Sequence, residues 1–479
     1  MPKQIGVEVM YIDRCADFII RELNSYGYEA YLVGGCVRDS LLKRPVHDWD
    51  ICTSALPQTV YDIFGNLGIT VVDTGMKYGT VSVLISPCDI DMINQSNERK
   101  YSLNEMDPQI YEITTFRKAS GSRKMDEVQF TESLEEDLIR RDFTMNALAY
   151  HPDKGLIDIV GGKEDINNKL IRCIEEPEIR FAEDYLRILR AIRFQAQLGF
   201  SIEENTYYWI NELVNNINNI NNASAERIQS ELFKMLASDY VVQALIDNKH
   251  IIATLLPELK DCIGFDQNNP NHRYDVYDHS IKTLEIIVSQ GFGDVNLRLA
   301  ALLHDIGKPV TAVIGKDGFT HFYNHACVGS LMAEKLLRRL NCTNETIKEI
   351  SLLIKYHDFS TDTKSGVKRA LNKVGNETFN KILTLRHADI LAQSGYNIQI
   401  KISELQQMRN WFDEIIENNE AFSISDLEIS GKDLIDMGYT PGKQFGTILS
   451  EVFDLVMDGE ISNTRKSLVD YINNHYNIV

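Results

Sequence analysis

The chain has 479 residues, 44% of them hydrophobic, and a formal net charge of −20. That length suits about two to four domains, and no run of roughly eighteen apolar residues is present to span a membrane. The acidic balance excludes a diffuse basic surface, so any nucleic acid would have to be held by local basic patches. Eight cysteines are scattered without a C-x-x-C pair, which argues for free thiols and against a zinc ribbon. The first residues lack the apolar run of a signal peptide, so a cytoplasmic location is expected.

In chain order, Tyr28–Val33, Val46–Ile51, Thr80–Ile85 and Ile110–Phe116 read as strands, with helices between or before them. The first strand runs into Gly34-Gly35, and a helix carrying Arg38 follows. Glycines let backbone N–H groups approach phosphate oxygens, and a helix start adds a favourable dipole. Asp48 and Asp50 are two apart, share one face of a strand, and can hold divalent metal together. The polar stretch 87–109 reads as a loop or small excursion. Glu112 stands in an apolar strand, where a carboxylate is costly to bury unless paired or metal-linked. It either joins the carboxylate cluster, activates an attacking hydroxyl, or faces outward. Arg140 and Arg141 suit a triphosphate through planar bidentate hydrogen bonds. Asn146, on the same helical side as Asp142, is placed to contact a ribose; a charged helix end is the plainer reading.

From about residue 165 the pattern is helical to the end, with linkers at 215–222, 267–272 and 359–366. Asp184, Arg187, Arg190 and Arg193 recur every three residues near one helix face. Asp only accepts hydrogen bonds and Arg only donates. A rigid Asp184/Arg187 pair would accept cytosine and adenine, which both present an amino donor beside a ring-nitrogen acceptor, and would reject uracil and guanine. A salt-bridged solvated face is the alternative. Further on, His279, His304, Asp305 and Asp389, with His325 and His357 between them, are ligand types for a hydrolytic metal. Lys364–Lys373, containing Lys368 and Arg369, is the expected local contact for RNA.

Taken together, Val33–Leu42, His47–Thr53, Glu112–Arg117, Asp137–Ala147 and Glu183–Phe194 resemble the class II CCA-adding enzymes, the tRNA nucleotidyltransferases of the poly(A) polymerase family. A weaker match continues through Glu226–Leu232. Residues 272–392 resemble an HD-type metal-dependent phosphohydrolase domain, and 429–462 the tail of the same tRNA enzymes. The resemblance implies an α+β fold: a nucleotidyltransferase head of sheet and helices (1–160), a helical neck (161–270), an HD body (271–400) and a helical, tRNA-binding tail (401–479). It implies Asp48 and Asp50 as Mg2+ ligands with Glu112 beside them, and Gly35, Arg38 and Arg141 on the triphosphate. Asp184 and Arg187 would be the template for the base, with Arg190 and Arg193 in support. His279, His304, Asp305 and Asp389, joined by His325 and His357, would hold a second divalent metal. The implied partners are tRNA, CTP and ATP. Two features depart from the family: the insertion at 87–109 is longer, and Lys118–Met125 is shorter and lacks a Tyr-rich loop associated with the change from adding C to adding A. A CC-only or A-only product therefore stays open, as do a bacterial poly(A) polymerase and a non-catalytic RNA-binding protein. No signal in the sequence sets an oligomeric state.

Overall fold

The computed structural model describes residues 10–86, 89–90, 109–118, 128–214 and 224–476. The chain forms two compact units, Met1–Arg227 and Ile228–Val479. The first is α+β. Helix α1 (Arg14–Ser25) starts where the Asp13 side chain accepts from the Cys15 and Ala16 amides, satisfying two donors that a helix start leaves open. Its Cys15, Phe18, Ile19 and Leu23 recur at helical spacing and are buried. Strand β1 (Ala30–Val33) is buried along its whole length. It turns at Gly34 into α2 (Gly35–Leu41). Then come β2 (Asp50–Thr53), α3 (Pro57–Asn66), β3 (Thr70–Gly75), β4 (Thr80–Ile85) and β5 (Gln109–Thr115), followed after a short helix by β6 (Leu148–His151) and β7 (Gly155–Asp158).

These strands make one seven-stranded sheet in the order β3-β4-β5-β2-β1-β6-β7. β2 pairs antiparallel with β1 and parallel with β5, which sets Asp50 directly beside Glu112. The second strand therefore begins at Asp50 and not at Val46. Asp48 stands in the approach to the strand. β3, β6 and β7 add to the four strands expected from sequence. β3 is an edge strand with mostly exposed residues, so its apolar alternation is weak. The predicted excursion at 87–109 lies outside the described residues, apart from Asp89, Ile90 and the first residue of β5. So do 119–125 of the shortened segment and the 215–222 linker.

The second unit is helical, as expected, with one small exception: strands Ala312–Ile314 and Thr320–Phe322 form a hairpin. Its helices are punctuated by side-chain caps. Asp275 accepts from the Asp278 amide, Asp294 from Leu297 and Thr343 from Thr346. The last helices close over a core of their own that includes Leu434, Ile448, Val452, Phe453, Leu468 and Ile472. Among the described residues no helix is long and apolar enough to cross a membrane.

Candidate functional site

The head site grows out of the turn after β1. Gly34 adopts φ +74°, and a Cβ there would lie 3.2 Å from an Arg141 guanidinium nitrogen. Glycine is thus required both by the backbone and by the neighbouring cation. Beside this turn, Asp50 and Glu112 sit side by side across the β2–β5 ladder, both reachable by solvent. Desolvation of the Asp50 carboxyl, together with the charge of Glu112 and a smaller one from Asp48, pushes its pKa up to about 6, against the pull of Arg141. The Asp50 carboxyl thus feels two further acids and the cation Arg141, and the donor set fits a divalent metal: hard oxygen ligands with an excess of negative charge.

Arg141 is positioned by a buried acid. Asp137, 0% exposed, accepts from Arg140 and from Arg141, 3.0 Å away, and from the Arg117 amide. Burial alone would raise its pKa, but the charges of Arg141 and Arg140 hold it below the usual carboxylate range. Removing one partner of a buried ion pair costs about 3–5 kcal/mol. Asp137→Ala is expected to lower head stability by that order, measured by denaturant unfolding; a loss below about 1 kcal/mol would show that solvent reaches these guanidinium groups.

The helix before Arg140 ends at Ile139, so Asp142 and Asn146 do not share a helix face. A turn brings them together instead, and the Asn146 amide donates to Asp142 at 3.1 Å. Arg38 is buried, donates twice to Asp39 (3.0 and 2.8 Å) and once to the Asn146 carbonyl oxygen at 2.8 Å. Its guanidinium thus orients Asn146. Asp184 lies in the break between helices Pro177–Glu183 and Leu186–Leu198, where it accepts from the Leu186 amide (3.1 Å) and from Arg227 (2.7 Å). Arg187 donates to Glu183 at 2.7 Å and to the carbonyls of Arg180 and Arg140. Each half of the expected base-reading pair is therefore pinned by its own neighbours. Arg190 donates to Asp142 at 2.8 and 2.5 Å. Sequence reasoning missed Phe194: the guanidinium carbons of Arg38, Arg190 and Arg193 lie 5.1, 5.6 and 3.8 Å from its ring centre. An arginine-flanked phenylalanine on the same helix face was the available signal. A cavity of about 640 Å³ opens near the end of α2, lined by Lys43, Arg44, Trp49 and Tyr150 among others. None of the expected nucleotide or metal ligands lines it.

In the second unit five elements converge on Asp305. His279 lies on helix Val276–Ser289, and His304 and Asp305 follow helix Val295–Leu303. His325 opens helix His325–Arg339, His357 ends Asn344–Tyr356, and Asp389 lies on Asn376–Ala392. All are buried except His325, which is partly so. His279 Nε2 is 2.8 Å from Asp389 Oδ1 and 3.5 Å from Asp305 Oδ2. The Lys308 ammonium lies 2.6 Å from Asp305 Oδ2 and donates to Gln267. Burial pushes the His357 pKa down to about 4, aided by the charge of His304. Two groups, His279–His304–Asp305 and Asp305–His325–His357, each bring one nitrogen or oxygen per residue within 4.8 Å of the others. Neutral imidazoles and carboxylates so gathered suit a divalent transition metal.

The expected RNA contact at Lys364–Lys373 is corrected. Lys364 pairs with Glu414 (2.9 Å) and Glu420 (2.5 Å), Lys368 with Glu420 (2.8 Å), and Arg369 with Asp458 (2.7 Å). Lys368 is also buried. Carboxylates from distant segments neutralise these cations, so the helix is a packed element and not a bare basic patch.

Comparison with known proteins identifies the family. Residues 30–172 match the Poly A polymerase head domain, 199–263 the "Probable RNA and SrmB- binding site of polymerase A", and 319–472 the tRNA nucleotidyltransferase domain 2. A CCA-adding enzyme of Lactobacillus delbrueckii subsp. bulgaricus is 40% identical over 468 residues, covering 95% of this chain and 96% of that protein. One from Enterococcus faecalis is 30% identical over 458 residues, covering 95% and 94%. The crystal structure of the Bacillus stearothermophilus CCA-adding enzyme in complex with CTP is 28% identical and superposes with a TM-score of 0.64 over 96% of both chains. With relatives 30–40% identical over nearly the full length of both chains, the chain belongs to the CCA-adding enzyme family and is a tRNA nucleotidyltransferase.

Proposed function

We propose that this chain adds C and A to tRNA 3′ ends from CTP and ATP, at Asp48, Asp50 and Glu112. The observation that carries the reading is the placement of Asp50 beside Glu112, with Arg141 against the diglycine turn. Bound Mg2+ would lower the pKa of the attacking 3′-hydroxyl and offset charge on the departing pyrophosphate. Asp48 and Asp50 would be its ligands, with Glu112 beside them. The Gly34-Gly35 backbone and Arg141 hold the triphosphate, and Arg38 acts through Asn146, which it orients toward the sugar. Divisions near 160, 270 and 400 separate head, neck, body and tail. A cytoplasmic setting is supported by the seven described cysteines, all free. Relatives matched over nearly their whole length favour the full CCA product over CC-only or A-only addition, and over poly(A) synthesis. Incubating tRNA that lacks its 3′ end with each nucleoside triphosphate, alone and paired, tests this. Extension by CC with CTP, completed by one A with ATP, is expected; an open-ended A ladder or a stop at CC overturns it.

Base choice rests on Asp184 and Arg187, with Arg190 and Arg193 behind them. Loss of a hydrogen-bond partner in a buried site costs about 1–3 kcal/mol, roughly 5- to 150-fold. Arg187→Ala is expected to weaken discrimination against UTP and GTP by that range while slowing CTP and ATP addition. Unchanged discrimination would reduce the pair to a salt-bridged helix face.

A second reading is favoured by the convergence of His279, His304, Asp305 and Asp389: a separate metal-dependent phosphodiesterase or phosphatase, acting on 2′,3′-cyclic phosphates or RNA 3′ ends. A bound divalent ion would supply a water of lowered pKa. His279, His304, Asp305 and Asp389 would hold that ion, and Lys308, 2.6 Å from Asp305 Oδ2, would place a positive charge next to the reacting phosphate.

A further inference from the structure

We propose that the mouth of the His–Asp cluster is a nucleotide subsite for RNA 3′ ends: Tyr323, backed by His321, stacks the terminal base, and Lys401 pairs with the phosphate on that nucleotide's 5′ side. This rests on the phosphodiesterase reading above and names the groups that choose its substrate.

Exposure locates the mouth. The side chains of His279, His304, Asp305 and His357 are at most 2% exposed, whereas those of His325 and Asp389 are 14% and 11% exposed. Solvent therefore reaches the cluster on the side of those two. One loop, 267–272, ties together the segments that border them. Toward His325, the Asn268 carbonyl accepts from the Thr320 amide at 3.1 Å, and the Asn269 side chain donates to the Thr320 carbonyl at 3.2 Å. Toward Asp389, the Asn271 carbonyl accepts from the Ser394 amide at 2.8 Å, and its side-chain oxygen accepts from Lys401 at 2.8 Å.

The hairpin brings an exposed ring to this mouth. The rings of His321 and Tyr323 lie nearly parallel, 10° apart, with their centres 5.8 Å from each other. Asp317 holds the His321 ring at 2.9 Å. One face of Tyr323 is therefore backed, yet the residue is 66% exposed. Asn324 then turns the chain at φ +60°, and the Phe322 carbonyl lies 2.9 Å from His325 Nδ1. The aromatic pair is thus fixed through the main chain to a ring of the cluster. A ring steadied by a neighbour, with its other face in water, suits a splayed single-stranded base, and stacking tolerates any base.

On the Asp389 side, Lys401 opens onto the same mouth from helix Ile398–Glu417. Its ammonium is held by two neutral oxygens, Asn271 Oδ1 at 2.8 Å and Gln393 Oε1 at 2.6 Å, and among the described residues it forms no ion pair. Gln393 in turn donates to Asp389 at 3.1 Å. In a chain of net charge −20, a cation kept beside the cluster without a carboxylate is left to take a phosphate.

The test uses the full chain with Asp48→Asn and Asp50→Asn to silence the head, supplied with Mn2+. Adenosine 2′,3′-cyclic phosphate is compared with glycerol 1,2-cyclic phosphate, which has the same ester ring and no base. Tyr323→Ala is expected to lower the ratio of their kcat/KM values by about 5- to 150-fold, the range for one base on one aromatic ring, and to do so through KM. Tyr323→Phe should restore the ratio. Lys401→Gln should raise KM more for a dinucleotide ending in the cyclic phosphate than for adenosine 2′,3′-cyclic phosphate, which has no 5′ phosphate. Equal losses on the adenosine and glycerol esters in Tyr323→Ala, or no loss, overturn the stacking platform. Equal losses on dinucleotide and mononucleoside in Lys401→Gln overturn the phosphate contact. Thermal melting checks each fold. Calorimetric titration with adenosine 3′,5′-bisphosphate reads the subsite without catalysis, since any binding at the head is common to parent and variant; weaker affinity in Tyr323→Ala is expected. Should the parent hydrolyse neither ester, the phosphodiesterase reading falls. Tyr323-dependent binding of the bisphosphate would then still support the subsite, and its absence overturns both.

Discussion

Asp50→Ala is expected to lower incorporation of CTP into 3′-truncated tRNA by about three orders of magnitude or more, since an ill-held metal forfeits several kcal/mol of charge stabilisation and each 1.36 kcal/mol is tenfold in rate. Asp48→Ala should behave alike. The fold should survive, because Asp50 is the exposed first residue of its strand. A second readout separates catalysis from structure. Desolvation and the charge of Glu112 raise the Asp50 pKa to about 6 in the metal-free protein, above the value near 4 of an unfolded Asp. The folded state therefore binds this proton more tightly. Ionised Asp50 destabilises the head above about pH 6, and the penalty fades as pH falls toward 4. Asp50→Ala should raise the melting temperature of the metal-free chain at pH 7.5 and leave it unchanged near pH 4. Incorporation near the parent rate would sink the assignment of Asp50 as a metal ligand.

Asp305→Ala should abolish hydrolysis of 2′,3′-cyclic phosphates and of phosphates at RNA 3′ ends, while CTP and ATP addition continues. Asp48→Ala should do the reverse. Asp305 is buried against Lys308, which is itself 4% exposed. Removing the carboxylate strands that ammonium, and the loss of one partner of a buried ion pair costs about 3–5 kcal/mol. Asp305→Asn keeps the shape and a hydrogen-bonding oxygen, so it is the companion variant. Hydrolysis should fall equally in both, while melting falls mainly in the first. Wild-type protein that contains no metal and hydrolyses nothing after addition of Mn2+, Ni2+ or Mg2+ would defeat the second activity.

What was legible in the sequence was whatever is local. The diglycine turn, Asp50 on one strand and Glu112 on another follow from short motifs with period-two alternation, and the β2–β5 pairing sets the latter two side by side. The placement of Asp48 before the strand was not legible, because strand ends depend on which partner offers a ladder. The neutralised Lys364–Lys373 helix was misread for a related reason. Glu414, Glu420 and Asp458, which pair with it, lie some fifty to ninety residues downstream of their partners. Asp137 and Phe194 escaped because a buried acid inside a charged run, and a phenylalanine among arginines, look like surface until packing is known. The His–Asp cluster was legible in composition, whereas its division into two sets around Asp305 is a property of side-chain directions alone.

The three guanidinium groups around Phe194 have a mechanical consequence. Arg38 belongs to α2, next to the diglycine turn, while Arg190 and Arg193 ride on helix Leu186–Leu198, which starts two residues after Asp184. Each cation over a ring contributes about 0.5–1 kcal/mol even at exposed sites, and Phe143 wedges the ring edge-on from another side at 5.8 Å. The ring is a shared anchor, tying the helix after the diglycine turn to the helix that carries Arg190 and Arg193.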